Sequence, residues 1–407
     1  MWLVQEPAAF AYAAWAKAGE KPNQTLRKKT ERGTHWVAWL LAVLAIVVSA
    51  DVTTRAWIGA RVPGGWPDND IPGDLGWHEI PDTKLAPSCP DPSPGGTTGC
   101  AAVISAWNGG IADTKRNRLI LWGGGHSDYY GNEVYALDLV AKKMVRLTDP
   151  SPVDNVSTCP EAYPDGRPSS RHTYNGLVYI ADMDKMFVFG GSKANCGFMS
   201  ASTWTLDLRN LQWQSVIPRD RYAPTGAPGA VADYDPASGT IYLSDTAGFY
   251  RYDPSAQEYK RLATFHGVDY HLSGIVIPER RLFLMMGGPG QLWEVDLGPR
   301  SKHTPNDRSG RARGCEKLLK AAYPGLAYDP VQGVVVGWAG GDSVILFDPA
   351  RMSCTEKSFP GGPGTPQPNG TNGRFRYFPA LGAFVLVNDW KQNAYSLRLT
   401  RAGATVH

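Results

Sequence analysis

One pattern recurs six times along the chain and leaves few architectures open. Its copies begin at residues 108 ("NGGIADTKRNRLILWGGG"), 175 ("NGLVYIADMDKMFVFGGS"), 229 ("GAVADYDPASGTIYLSDT"), 273 ("SGIVIPERRLFLMMGGP"), 324 ("PGLAYDPVQGVVVGWAGG") and 372 ("NGRFRYFPALGAFVLVND"). Each opens on a small or turn-forming residue and runs through a short strand. A polar turn such as Asp-Pro-Ala-Ser-Gly follows, and an apolar strand returns, often to a glycine pair. This is a repeated β-hairpin. A unit this small cannot bury its own apolar faces, so successive copies must pack on one another.

Most copies are followed by a third strand ("EVYALDL", "STWTLDL", "FYRYDP", "QLWEVDL", "SVILFDP"), and several by a fourth ("KKMVRLTD", "LQWQSVIP", "EYKRLAT"). Four strands per unit, recurring every 44 to 67 residues, predict the blades of a propeller. The aspartate that ends the third strand should cap the turn leaving it. The last unit stops at "AYSLRLT" without a fourth strand, and "GWHEIPDTKL" (76–85) is suited to supply it and remove the open edge. The fold expected is all-β, a single propeller of six blades over 76–402. Seven blades remain open because 299–320 is long and reads poorly. Residues 51–75 read as a linker and 403–407 as a tail. The glycine-pair hairpins resemble kelch repeats and the galactose-oxidase-like propellers, an architecture that hosts enzymes and binding modules alike.

Composition agrees. Gly (45) and Pro (32) make up about 19% of the 407 residues, well above the usual share, and no clean helical period follows residue 55. The formal charge of +3 is matched by a surplus of three in residues 1–50 alone, so the rest is near neutral and nucleic acid is not expected as a partner. The basic run "LRKKTERGTH" precedes the uncharged "WVAWLLAVLAIVVSA" (36–50). That order predicts export of everything beyond residue 50, with the apolar run either a cleaved signal or a retained anchor and the only contact with a membrane. Six cysteines follow it, none in a CxxC pair. They read as disulfides, with nearest-neighbour pairing (89–100, 159–196, 315–354) as the working assignment. The folded part is expected to be a monomer, periplasmic or extracellular.

In a propeller the second-to-third-strand loops and the segments leading into first strands share one face, around the central funnel. Blade one's loop, "GGGHSDYYGNE", puts His126, Asp128, Tyr129, Tyr130, Asn132 and Glu133 there. "SSRHTYNG" adds Arg171, His172 and Tyr174; "RDRYAP" adds Arg219, Arg221 and Tyr222; "FHGVDYHLSG" adds His266, Asp269, Tyr270 and His271; "NGRFRYF" adds Arg374, Arg376 and Tyr377. His78 and His303 fall elsewhere. Three glycines before His126, and Gly131 after Tyr130, should bend the loop so that His126 overhangs the funnel, with Asp128 or Glu133 accepting one ring N–H. His, Tyr and Arg together suit β-elimination at a uronic acid, where the carboxylate is neutralised, a base takes the C5 proton and an acid protonates the leaving oxygen. The catalytic candidates are His126, Tyr130, Arg171, His172, Arg221, Tyr222 and His271. Tyr129, Asn132, Tyr270, Arg374, Arg376 and Tyr377 are the substrate-binding candidates.

The loop also resembles the histidine-bearing loop of propeller polysaccharide lyases such as the ulvan lyases. That resemblance implies an acidic polysaccharide substrate and a base role for His126. A charge-neutralising or structural cation stays open, and no other cofactor is expected. The alternatives are a non-catalytic kelch-type module binding glycan or protein, and a galactose-oxidase-like sugar oxidase, which would need a cysteine free to bond a tyrosine.

Overall fold

The computed structural model describes residues 72–400 apart from 154–157, 219–222, 227 and 265–266. Six four-stranded antiparallel sheets form the blades of a β-propeller. Their innermost strands are Gly110–Asp113, Leu177–Ile180, Val231–Asp235, Leu272–Ile277, Gly325–Asp329 and Phe375–Phe378. Each innermost strand touches that of the next blade, and the sixth returns to the first, which closes the ring. Within blades one to five the strands proceed from the axis outward in chain order. Blade six is composite. Its outermost strand is Gly76–Ile80, paired antiparallel with Ala394–Arg398 from Gly76 opposite Arg398 to Ile80 opposite Ala394. The closing strand read from the sequence is therefore in place.

The long stretch 299–320 makes no seventh blade. It supplies the two-residue outer strand Asn306–Asp307 of blade four, then a 3-10 turn and the one-turn helix Glu316–Leu319, which tucks Leu318 and Leu319 between blades four and five.

Apolar side chains fill six clusters, one at each blade-to-blade contact. The period of two along a strand feeds both neighbours. Leu119, Leu121, Tyr135 and Leu137 pack toward blade six, whereas Ile120, Trp122, Val134 and Ala136 pack toward blade two. A blade is thus buried on both faces, and its second strand reads as a largely apolar run, as in Leu282–Gly287 (LFLMMG) and Val334–Trp338 (VVVGW). The aspartates cap turns as expected: Asp138 accepts from the backbone of Val140 and Ala141 (3.0 and 2.9 Å), and Asp253 and Asp348 repeat the contact.

All six cysteines are bonded in nearest-neighbour pairs, Cys89–Cys100, Cys159–Cys196 and Cys315–Cys354. Three intramolecular disulfides are consistent with an exported protein in an oxidising compartment. Among the described residues no helix is long and apolar enough to cross a membrane; the apolar run 36–50 lies outside them.

Candidate functional site at the mouth of the ring

The blade-one loop begins with Gly123, Gly124 and Gly125 at φ 133°, 152° and 62°, and His126 follows at φ 45°. The first three values are open to glycine and costly for other residues. Close approach adds a second demand, because a Cβ on Gly125 would fall inside 3.0 Å of the Arg171–His172 backbone. The loop is stitched to that backbone: Gly124 N–H donates to Arg171 O (3.1 Å) and Gly125 N–H to Ser170 Oγ (3.0 Å). Arg171–His172 pairs in turn with Ser192–Lys193, so two loops and one incoming segment form a single rim. Gly131 acts differently from the expectation. Its φ is not positive; a Cβ there would collide with Tyr129 and Glu133, so it serves close packing and no bend.

His126 is exposed on this rim, stacked on His172 with ring centres 5.7 Å apart. Neither expected carboxylate orients it. Its Nδ1 lies 3.0 Å from Ser127 Oγ, and its ring packs on Gly197, beside the Cys159–Cys196 disulfide. Asp128 instead meets His172: Oδ2 is 3.0 Å from His172 Nε2, while Oδ1 accepts the Thr98 hydroxyl at 2.9 Å. The His172 contact, ahead of the Thr98 hydrogen bond, holds the Asp128 carboxyl below its ordinary value against the opposing pull of burial. Tyr130 joins the same rim, its hydroxyl donating to Asn195 Oδ1 (2.7 Å) while the Asn195 N–H donates to the His126 carbonyl.

A second histidine–carboxylate pair sits at the segment leading into blade four, where His271 Nδ1 is 2.6 Å from Asp269 Oδ1. Its other ring nitrogen has no partner among the described residues. Tyr270, 43% exposed, lies with its ring centre 3.8 Å from that of His271. Between the two pairs runs a continuous series of aromatic contacts. Trp107 meets His172 (5.1 Å), His172 meets Tyr174 (6.3 Å), Tyr174 meets Tyr323 (6.0 Å), and Tyr323 meets His271 (5.1 Å) and Tyr270 (6.4 Å). Trp107, His126, Tyr270 and His271 present surface to solvent, and His172, Tyr174 and Tyr323 join them from buried positions. Tyr174 and Tyr323 both sit at φ 48°, an uncommon conformation for an aromatic residue, and main-chain bonds hold them there: Tyr174 N–H to Trp107 O and Tyr323 N–H to His271 O, each 2.7 Å. Burial pushes the Tyr174 phenol up to about 12, with the Tyr270 phenol adding to the shift. The Tyr323 hydroxyl is buried without a partner of hydrogen-bonding geometry among the described residues, although the Trp107 side chain acts on it from nearby.

Trp107 and Tyr323 were not among the sequence candidates. The signal for them was present, since Trp107, Tyr174 and Tyr323 occupy the position just before the repeated segments at 108, 175 and 324.

Several candidates serve the scaffold instead of the mouth. Tyr129 has no exposed surface, and its hydroxyl and that of Tyr135 both donate to Glu133 Oε1 at 2.6 Å inside the blade-one core. Asn132 is equally buried, donating to Ser151 Oγ and Pro168 O and accepting from Ser151 N–H. Arg171 is fully buried and donates to Ser169 O, Gly190 O, Glu161 O and the Ser200 and Ser202 hydroxyls; desolvation brings it down to about 10. Arg374 is fully buried among the carbonyls of Asn108, Gly370, Val387 and Asn388, and desolvation lowers it to about 9. Arg376, half-buried, turns Nε and Nη2 to the Gly110 and Gly373 carbonyls. Tyr377 packs on Phe384 within the cluster between blades five and six. The common reason is that a guanidinium or amide beside the axis finds several inward carbonyls to satisfy, and it stays with them.

His78 and His303 brace loops through Asp74 O and Asp296 O, away from the mouth residues. Arg219, Arg221, Tyr222 and His266 lie outside the described residues. With every cysteine in a disulfide, none is free to bond a tyrosine as a copper radical oxidase requires. Among the described residues no three His, Cys, Asp or Glu side chains come together as a metal-ligand set.

No protein-family model matches the chain, and no curated protein matches it.

Proposed function

We propose that this protein is an exported, kelch-like propeller that holds an acidic polysaccharide across its mouth and cleaves it by β-elimination beside a uronic acid. The observation that carries the reading is the pair of His–Asp contacts, His172–Asp128 and His271–Asp269, joined by an unbroken series of aromatic rings. Aromatic faces suit the C–H faces of pyranose rings. A carboxylate on one imidazole nitrogen fixes the tautomer and leaves the other nitrogen as a base. His271 fits that role better than His126, because Asp269 orients it and its second nitrogen has no partner among the described residues. In the step, His271 takes the C5 proton, the C4–C5 double bond forms and the C4–O bond breaks. The Tyr270 hydroxyl, beside the same ring, protonates the leaving oxygen. His126 contributes a stacking surface at the other side. Arg221, with Arg219 or a bound cation, would neutralise the substrate carboxylate.

A second reading, glycan binding without cleavage, is favoured by one observation: Arg171 and Arg374 are fully buried and spent on the scaffold, and cannot meet a substrate carboxylate. One experiment separates the two. The full chain is incubated with a panel of uronic-acid polysaccharides while the ultraviolet absorbance of the unsaturated product is followed, and binding is measured on a glycan array. Cleavage should appear with at least one polymer and fall by about 10²–10⁴-fold in His271→Ala. Binding without cleavage selects the second reading, and absence of both overturns the site.

A further inference from the structure

A separate cleft of about 440 Å³ opens on the outer wall of the ring, between blades one and two. It lies beside Gln212–Val216, the outermost strand of blade two, and the end of blade one's outermost strand, with the turn at 165–167 as its third side. The volume is in the range of small-ligand sites. Trp213 lines it, half-buried, with its ring 5.0 Å from Trp122. The two indoles differ in one respect. Trp122 N–H donates to Asn132 O at 2.9 Å, but Trp213 N–H is buried without an acceptor among the described residues. Buried donors are nearly always paired, so this one has reason to take a ligand acceptor, which it reaches if the half-buried Trp213 ring shifts to turn its N–H into the cleft.

The remaining wall is of mixed character. Leu211 and the indole are apolar, and Asn210 and Gln212 bring side-chain amides. Arg167 is tied to Asp165 through Nε and Nη2 (2.7 and 2.6 Å to Oδ2) and to Asp149 O through Nη1 (2.6 Å), so each nitrogen has one partner and only the second N–H of each Nη remains for a ligand. We propose that this cleft binds one pyranose unit of a neutral sugar. An indole offers an apolar surface to the C–H face of a pyranose. Planar amides, a guanidinium and a carboxylate offer donors and acceptors together, as adjacent hydroxyls require. Arg167 and Asp165 cancel each other, so nothing in the wall favours an anion or a cation. The cleft shares no residue with the mouth and does not depend on the chemistry proposed there.

The test is saturation-transfer difference NMR on the full chain with glucose, galactose, mannose and xylose as probes, with thermal melting of each variant as the folding control. At least one sugar should receive saturation at its ring protons. Trp213→Phe keeps a smaller aromatic face but removes the indole N–H, and the double variant Arg167→Ala, Gln212→Ala removes polar partners without touching the indole. Each should weaken binding by about tenfold or more, the scale of one or two lost hydrogen bonds. His271→Ala, at the mouth, should leave this binding unchanged. The proposal is overturned if no sugar receives saturation, if the folded double variant binds like the wild type, or if His271→Ala alone abolishes the signal.

Discussion

Gly125 and Gly166 offer a controlled test of how the histidine loop is held. Both have positive φ, 62° and 83°. Alanine at either should pay for a left-handed backbone, about 1 kcal/mol. A Cβ at Gly166 meets nothing within 4 Å, so the cost ends there. At Gly125 the Cβ would enter the Arg171–His172 backbone, and the two segments must part by about 1 Å. Two hydrogen bonds lie across that seam, Gly124 N–H to Arg171 O and Gly125 N–H to Ser170 Oγ. The His172–Asp128 contact sits just beyond them. At about 1 kcal/mol per bond, Gly125→Ala should lose about 3 kcal/mol in all. In a ring of this size each kcal/mol moves the melting temperature by about 2 °C. Calorimetry should therefore give a fall of about 2 °C for Gly166→Ala and about 6 °C for Gly125→Ala, with the glycan binding proposed for the mouth weakened only in the second. Equal falls for the two variants would refute the argument from close approach.

Three further outcomes are expected. Deleting residues 76–80 removes Trp77 and Ile80 from two clusters, each worth about 1.5–3 kcal/mol, and exposes the edge of Ala394–Arg398; size-exclusion chromatography should show aggregation, and a monomer with an unchanged melting temperature would contradict the closure. Asp128 has a depressed pKa in the folded state, so its stabilising contribution is present above the unfolded value near 4 and disappears as pH falls through the folded one; the stability gap between wild type and Asp128→Asn should shrink on acidification below about pH 4, measured by denaturant melts, and a gap independent of pH would remove the carboxylate from the account. Replacing Cys159 and Cys196 together by serine frees the loop that packs Gly197 on His126; limited trypsin digestion should become faster at Lys193, and unchanged cleavage would mean that the loop is held without the disulfide.

What the chain carried in plain view was periodic or local. Six hairpins, the turn aspartates, the missing last strand and the nearest-neighbour disulfides could all be read because each depends on residues close in sequence or on a repeat that must close. The loops and segments at the mouth were legible for the same reason, since strand direction alone assigns them to one face. Which polar side chains remain available there was decided only by the ring. Asp128 takes a partner 44 residues away in the next blade, and Arg374 takes one 266 residues away across the closure. Tyr129 and Asn132 look like binding residues in the string, yet the blade is covered on both faces and turns them inward. Trp107 and Tyr323 look like ordinary turn residues and become part of the mouth because equivalent positions of different blades converge on one axis. Local pattern determines the strands; burial and partner choice arise where separate blades meet, and no short stretch of sequence contains that meeting.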